Sequence, residues 1–367
     1  MTENRYDATT AMIAELASKV LEGRVLEREE AAQLTRVEGD ELYDLFFWAN
    51  KIRIRFVGRQ VKFCSIVAGK VGACSEDCSF CSQSKHFDTG TTPNKLSLPQ
   101  IDAAAREAIA SGADSFGVVN SGRGPTEREL DWLEPFFSGT AGEKKIRPCA
   151  TLGELTSEQA HRLREMGVQR VNHNLETSRR HFPNIVSTHS YDDRVRTIRI
   201  AREAGLSICS GGIFGLGEQW RDRLDVAFEL RDLGADVVPI NFLNRIEGTP
   251  LHATCEDLHP MEALKIIAVY RFILPQRELK VAGGREVILR DLQSWIFFAG
   301  ANSFLVGNYL TTFGREPQHD LQMLRDLGLT YRTFDEIERE AAAAPALTPT
   351  LTRSDLQPQG SCQDVAS

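Results

Sequence analysis

The 367-residue sequence has no run of about 18 consecutive apolar residues, and its first thirty residues lack a basic start followed by an apolar stretch and a cleavage site. A soluble, cytoplasmic protein is therefore expected. Basic charge is not in excess: 43 Lys and Arg stand against 51 Asp and Glu, a formal net charge of -8. That balance leaves no electrostatic footprint for nucleic acid or an anionic membrane, and points instead to a small-molecule substrate. No G-x-G-x-x-G fingerprint of a dinucleotide-binding sheet is present. Eight cysteines in a chain of this length, without an export signal, do not read as a disulfide framework but as thiols used for metal or catalysis in a reducing compartment.

What is present is concentrated in Cys74-Ser75-Glu76-Asp77-Cys78-Ser79-Phe80-Cys81, a C-x3-C-x2-C spacing, with Cys64 ten residues upstream. Thiolates are soft ligands for iron–sulfur clusters, copper(I) or zinc, and closely spaced cysteines on one loop can converge on one inorganic centre. A structural zinc site closes with four ligands, and only three stand in this loop. A zinc site or a redox dithiol stays in competition, because either uses C-x2-C pairs. A 4Fe-4S cube held by three thiolates keeps one iron free for a small molecule. The spacing resembles the signature of radical S-adenosylmethionine enzymes, in which that iron takes the amino and carboxylate groups of the cofactor.

Residues 1–60 carry apolar positions at helical spacing and read as a helical N-terminal extension, whose role is to plug or cap the bottom face of the main domain. From 61 to about 330 the rhythm changes. Short β-branched runs at 61–68, 115–120, 146–152, 169–175, 206–214, 236–243, 279–284 and 301–306 each lead into a polar loop and an amphipathic helix. Gly112, Gly167, Gly205, Gly234 and Gly300 stand where a left-handed cap ends a helix before the next strand. Eight strand–helix units are what a closed (β/α)8 TIM-type barrel requires; an open doubly wound sheet would need fewer. Beyond 315 a helix at about 321–327 and another near 335–343 are expected, and the Pro-, Thr-, Ser- and Gln-rich end, 344–367, reads as disordered.

Barrel chemistry sits at the C-terminal ends of the strands, which places the cysteine loop at the active mouth. On strand four Asn172, Asn174 and Glu176 fall at i, i+2 and i+4 and share one face, while His173 on the other face reads as a packed, hydrogen-bonded histidine. Strand five is rich in glycine, at Gly211, Gly212, Gly215 and Gly217, which favours close approach by a flat adenine ring or a cluster. Strand six offers Asn241. Arg285, at the end of strand seven, could pair with a carboxylate, phosphate or cluster, or simply with Glu286 or Asp291. Asn120-Ser121-Gly122 forms a polar turn after strand two. Cys255 and Cys362 have no partner in this pattern.

Taken together, Gly72 to Cys78, Asn172 to Ser178, Cys209 to Ile213 with Gly215 to Glu218, Pro239-Ile240-Asn241, Gly284-Arg285-Glu286 and Ala299 to Ser303 resemble the biotin synthase family, from about Val61 to Leu329. The resemblance implies a homodimeric barrel enzyme that inserts sulfur into dethiobiotin, served by a reducing protein such as a flavodoxin or ferredoxin. It implies that Cys74, Cys78 and Cys81 hold a 4Fe-4S cluster that cleaves S-adenosylmethionine. Asn172, Glu176, the Ile213 region and Ser121 would contact that cofactor, and Asn174 and Asn241 the substrate's ureido ring.

The family also carries a 2Fe-2S centre on three cysteines and one arginine, the sulfur donor, for which Cys149, Cys209 and Arg285 match. The strand-two cysteine does not: Gly117 stands there and cannot bind iron. Cys64 lies on strand one, and barrel layers take their side chains from alternate strands. An auxiliary iron–sulfur cluster, 2Fe-2S or larger, bound by Cys64, Cys149 and Cys209 with Arg285 as ligand or neighbour, is expected. A radical enzyme of similar barrel that inserts no sulfur, of the hydrogenase-maturation or methylornithine type, is the competing reading. A non-enzymatic iron–sulfur or zinc-stabilised protein is the third.

Overall fold

Eight parallel strands close on themselves in the computed structural model, which describes residues 3–143, 146–307, 309–311, 314–331, 336 and 339. They are β1 (Gln60–Val71), β2 (Ser115–Asn120), β3 (Arg147–Thr151), β4 (Arg170–Asn172), β5 (Ser207–Cys209 resuming at Gly212–Phe214), β6 (Val237–Phe242), β7 (Glu278–Val281) and β8 (Ser303–Leu305). Each pairs in parallel with the next, and β8 returns to β1 through Lys62 opposite Ser303 and Cys64 opposite Leu305. The eight expected strands are all present. All five anticipated cap glycines have left-handed φ, between 70 and 108°. The helices start where their sequences say they should: Thr156 and Ser190 each accept a bond from the backbone three residues on, with Gln159 and Asp193 reaching back.

Alternation along the strands splits the core in two. Phe63, Phe116 and Phe304 point outward into the helical ring, where Phe116 meets Phe136 and Phe63 meets Phe304. Each fully buried phenylalanine stabilises the barrel wall by about 1.5–3 kcal/mol. The inward positions differ. At the N-terminal ends of the strands they are charged: Lys62 pairs with Glu278 at 3.1 Å, Arg147 approaches Asp114 at 4.0 Å, and Arg170 lies between β3 and β5. These groups close the barrel floor.

The extension is helical, as expected, with helices Glu3–Leu21, Arg28–Leu34 and Glu41–Val57. It lies against the outer ring, on helices Trp220–Asp232, Pro260–Ile273 and Trp295–Phe298, rather than across the strand ends. Helix Pro260–Ile273 is consequently buried on every side except at Met261 and Glu262. Its Arg271 is fully buried and, among the described residues, faces no carboxylate; instead it donates to the carbonyls of Leu274, Pro275, Arg277 and Gly300 and to Asn302 Oδ1 at 2.7–3.2 Å. Five donors in a planar fork suit that task. Helix Pro317–Asp326 packs beyond the barrel, four residues earlier than anticipated. The second helix near 335–343 falls almost wholly outside the described residues, and the tail 344–367 with Cys362 entirely so. No helix among the described residues is long and apolar enough to cross a membrane.

Candidate active site

A cavity of about 430 Å³ opens at the C-terminal mouth of the barrel and reaches down to Cys64 on β1 and Lys280 on β7. The cysteine loop forms one wall. It leaves β1 through Gly72 and Ala73, both with left-handed φ, and it is held by bonds from Cys74 N to Gln83 O and from Lys85 N to Cys74 O. Glu76 and Asp77, between the first two cysteines, tie the loop to the segment before helix Tyr191–Glu203. Asp77 accepts from Ser187 and Thr188, and Glu76 from Thr188 and His189 at 2.8 and 2.7 Å. Burial works against the Asp77 carboxylate, but those bonds more than offset it and bring its pKa to about 2. Cys74, Cys78 and Cys81 line the cavity, and burial pushes the Cys78 and Cys81 thiols up to about 12 and about 11. Left alone they stay protonated; iron would have to take the place of the protons.

The opposite wall is polar and incompletely satisfied. Among the described residues, Glu176 Oε2, His173 Nε2, Arg194 Nε and both amide atoms of Asn120 are buried without a hydrogen-bond partner, and all five atoms belong to cavity-lining residues. Buried polar groups rarely remain unpaired, so this clustering is what a site awaiting a polar ligand looks like. Burial raises the Glu176 carboxyl above its ordinary range, opposed by Arg194, whose Nη1 lies 3.6 Å from Oε1. Glu176 also has a left-handed φ of 68°, a conformation a non-glycine residue holds only when its surroundings impose it. Here the imposing contact is the bond from Ile213 N to Glu176 O at 2.8 Å.

The residues singled out from the sequence gather here, with differences. Asn172, Asn174, Glu176, Ile213, Ser121 and Asn241 all line the cavity. β4 ends at Asn172, however, so strict alternation fails beyond it, and His173 turns into the cavity rather than packing away from it. Asn174 Oδ1 accepts from Gly211 N at 3.2 Å, and Asn241 bridges Gly212 O and Gly283 N. Ser121 spends its hydroxyl proton on Gly72 O. Two of the strand-five glycines answer to protein backbone: a Cβ on Gly211 would stand 1.9 Å from Pro239 O, and one on Gly212 2.8 Å from Glu176 O. Cys255 is half-buried at the end of helix Pro250–Thr254, outside the cavity lining.

Inside the barrel Cys64, Cys149 and Cys209 are buried at 5, 5 and 1% exposure, on strands β1, β3 and β5. Burial lifts the Cys149 thiol to about 12 and raises Cys209 as well. At Gly117 on β2 a Cβ would meet Ile66 Cγ2 at 3.3 Å, so the familiar ligand position is partly filled by a neighbour. Among the described residues no three His, Cys, Asp or Glu side chains converge closely enough to chelate a single ion. A mononuclear zinc cage is thus not formed, whereas an iron–sulfur core spreads its thiolates over two or more irons and tolerates a wider spacing.

Arg285 departs from expectation. β7 ends at Val281, and Arg285 opens helix Arg285–Leu289. Its fully buried guanidinium forks onto Asp320 at 2.8 and 3.1 Å, touches Glu286 at 3.2 Å and covers the Phe304 ring at 5.0 Å. It lies outside the cavity lining; the strand-seven side chain that faces the cysteines is Lys280, whose Nζ donates to Cys209 Sγ at 3.7 Å. Sequence reasoning missed Lys280 and Arg194. The former lay at an inward position of a strand whose period was available; the latter sits on a helix and reaches the site only through the fold.

Comparison with known proteins identifies the family. Residues 70–230 match the Radical SAM superfamily, and 239–330 the Biotin and Thiamin Synthesis associated domain. The chain is 48% identical over 319 residues to biotin synthase of Geobacter sulfurreducens, covering 86% of this chain and 97% of that protein. It is 49% identical over 320 residues to that of Heliobacterium modesticaldum, covering 87 and 98%. Methylornithine synthase shares the fold at a TM-score of 0.76 and 20% identity, over 88% of this chain and 99% of that one. The FeFe-hydrogenase maturase HydG of Carboxydothermus hydrogenoformans does so at 0.74 and 18%, over 90 and 85%. With its cysteine loop at the mouth of a closed (β/α)8 barrel, the chain belongs to the biotin synthase family of radical S-adenosylmethionine enzymes, which make biotin by radical-mediated sulfur insertion.

Proposed function

We propose that this protein converts dethiobiotin to biotin, with Cys74, Cys78 and Cys81 holding the 4Fe-4S cluster and Cys64, Cys149 and Cys209 holding an auxiliary iron–sulfur cluster that donates the sulfur. The observation that carries this reading is one cavity that joins the three loop cysteines at its mouth to Cys64 in the barrel interior. When bound, the 4Fe-4S cluster supplies the electron that cleaves S-adenosylmethionine to a 5′-deoxyadenosyl radical, which takes hydrogen from unactivated carbon.

The chain's own residues bind, orient and shield. Glu176 and Asn172 would take the cofactor's ribose hydroxyls, the strand-five backbone around Ile213 its adenine, and Ser121 its flank. Arg194, whose Nε–H has no partner among the described residues, would be the cation for a carboxylate. Asn174 and Asn241, fixed by backbone bonds through one edge of each amide, offer their remaining donor and acceptor positions to the ureido ring. Enclosure by the barrel keeps water from quenching the radical. A homodimer, a cytoplasmic location and a flavodoxin- or ferredoxin-type reductant complete the reading.

The test is an anaerobic incubation of cluster-loaded protein with S-adenosylmethionine, a reductant and dethiobiotin, following 5′-deoxyadenosine and biotin together by mass spectrometry. Biotin formed with 5′-deoxyadenosine supports the proposal. Cofactor cleavage without biotin, from protein whose iron content shows both clusters loaded, contradicts it. Unchanged iron and sulfide counts in a Cys64→Ala variant would remove Cys64 from the ligand set.

A further inference from the structure

Four buried or half-buried cations, Lys62, Arg147, Arg170 and Lys280, stand in the lower barrel against two carboxylates among the described residues, Asp114 and Glu278. Two of the cations are turned toward the thiols. Lys280 Nζ contacts Cys209 Sγ at 3.7 Å, and Arg170, 6% exposed, has an Nη1 without a hydrogen-bond partner among the described residues. Register places Arg170 opposite Cys149 on one side and Ser207 on the other, two residue pairs below Asn172 and Cys209. Lys280 and Arg170 carry buried positive charge that faces the thiols, and buried charge is costly unless an opposite charge answers it. Three thiolates around an iron–sulfur core of charge two-plus make a net monoanion, which becomes a dianion on one-electron reduction.

We propose that Lys280 is the strand-seven member of the cysteine layer and holds the auxiliary cluster by its charge and by N–H to sulfur contact, with Arg170 beneath it as the second cation. This rests on the auxiliary-cluster reading above and adds a claim about its binding. Layers in this fold draw one side chain from each alternate strand, and Cys64, Cys149, Cys209 and Lys280 come from β1, β3, β5 and β7. A lysine ammonium has three donors and no lone pair, so it cannot bond iron while charged. The protein then offers three iron ligands in this layer, with the fourth corner electrostatic.

The experiment uses full-length protein carrying Cys74→Ala, loaded anaerobically, so that the auxiliary cluster alone is observed. Iron and acid-labile sulfide per chain are measured with and without Lys280→Met, together with the midpoint potential from a redox titration followed by electron paramagnetic resonance. Iron is expected to stay at the level of the parent. Loss of a facing cation is expected to disfavour the reduced, more anionic form at least tenfold at fixed potential, about 59 mV for one electron, and Lys280→Arg should restore it. Lys280→Gln carries the same expectation should the methionine variant not fold. Iron lost in Lys280→Met as fully as in Cys149→Ala would make the lysine a ligand and overturn the proposal; an unshifted potential would overturn it too. Iron unchanged in Cys149→Ala would instead sink the auxiliary-cluster reading itself.

Discussion

Replacing Arg285 by leucine separates a structural role from a cluster-binding one. The guanidinium and the Asp320 carboxylate are both fully buried and share two bonds at 2.8 and 3.1 Å. Removing one partner of such a pair costs about 3–5 kcal/mol, because the other charge is left in the interior. Asp320 keeps a bond from Arg315 at 3.2 Å, which places the expected loss near the lower end, about 3 kcal/mol. With a urea dependence of about 3 kcal/mol per molar, the midpoint should fall by about 1 M. Replacing both residues by leucine should recover most of that loss, since an apolar pair of similar volume is often neutral. The assay is anaerobic urea unfolding by circular dichroism, with iron counted per chain before denaturation. A wild-type midpoint combined with lost iron would refute the reasoning and return Arg285 to the cluster.

Gly211→Ala should abolish soluble protein or cost more than about 3 kcal/mol, because its Cβ would sit 1.9 Å from Pro239 O and the two strands would have to part. Gly117→Ala should cost under about 1 kcal/mol, since only the Ile66 methyl at 3.3 Å need give way; equal urea midpoints for the two variants would contradict both statements. Asp77, depressed to about 2 from an ordinary 3.8, contributes stability that is present above pH 3.8 and lost as pH falls toward 2. Thermal midpoints of the protein before cluster loading should therefore drop less between pH 5 and 2.5 in Asp77→Asn than in the unaltered chain.

The barrel was legible because its signals are local: β-branched runs, cap glycines and capping boxes recur with each unit, and each is satisfied by nearby residues. The cavity-lining residues were legible for the same reason, through strand period and motif. What failed is informative. Arg285 follows Gly284 at a left-handed φ of 77°, which turns the chain from β7 into a helix and swings the side chain toward Asp320, thirty-five residues on. No periodicity reports such a turn. Reading β4 as extended to Glu176 likewise missed the bend that brings His173 into the cavity. The glycines of β5 drew attention correctly, but the groups approaching Gly211 and Gly212 are the carbonyls of Pro239 and Glu176, a contact between distant segments that composition does not reveal. Lys280 stands at an inward position that the period of β7 marks, but a lysine between Leu279 and Val281 carries no local signal that it faces thiols.

The most direct test traces the sulfur. Protein loaded anaerobically with iron and ³⁴S-labelled sulfide is given S-adenosylmethionine, reductant and dethiobiotin without free sulfide, and the isotope in biotin is read by mass spectrometry. The account predicts labelled biotin from the intact chain, none from Cys149→Ala or Cys209→Ala, and continued 5′-deoxyadenosine formation in those variants. Biotin that carries unlabelled sulfur, or labelled biotin from the cysteine variants, would contradict a sulfur donor held in the barrel.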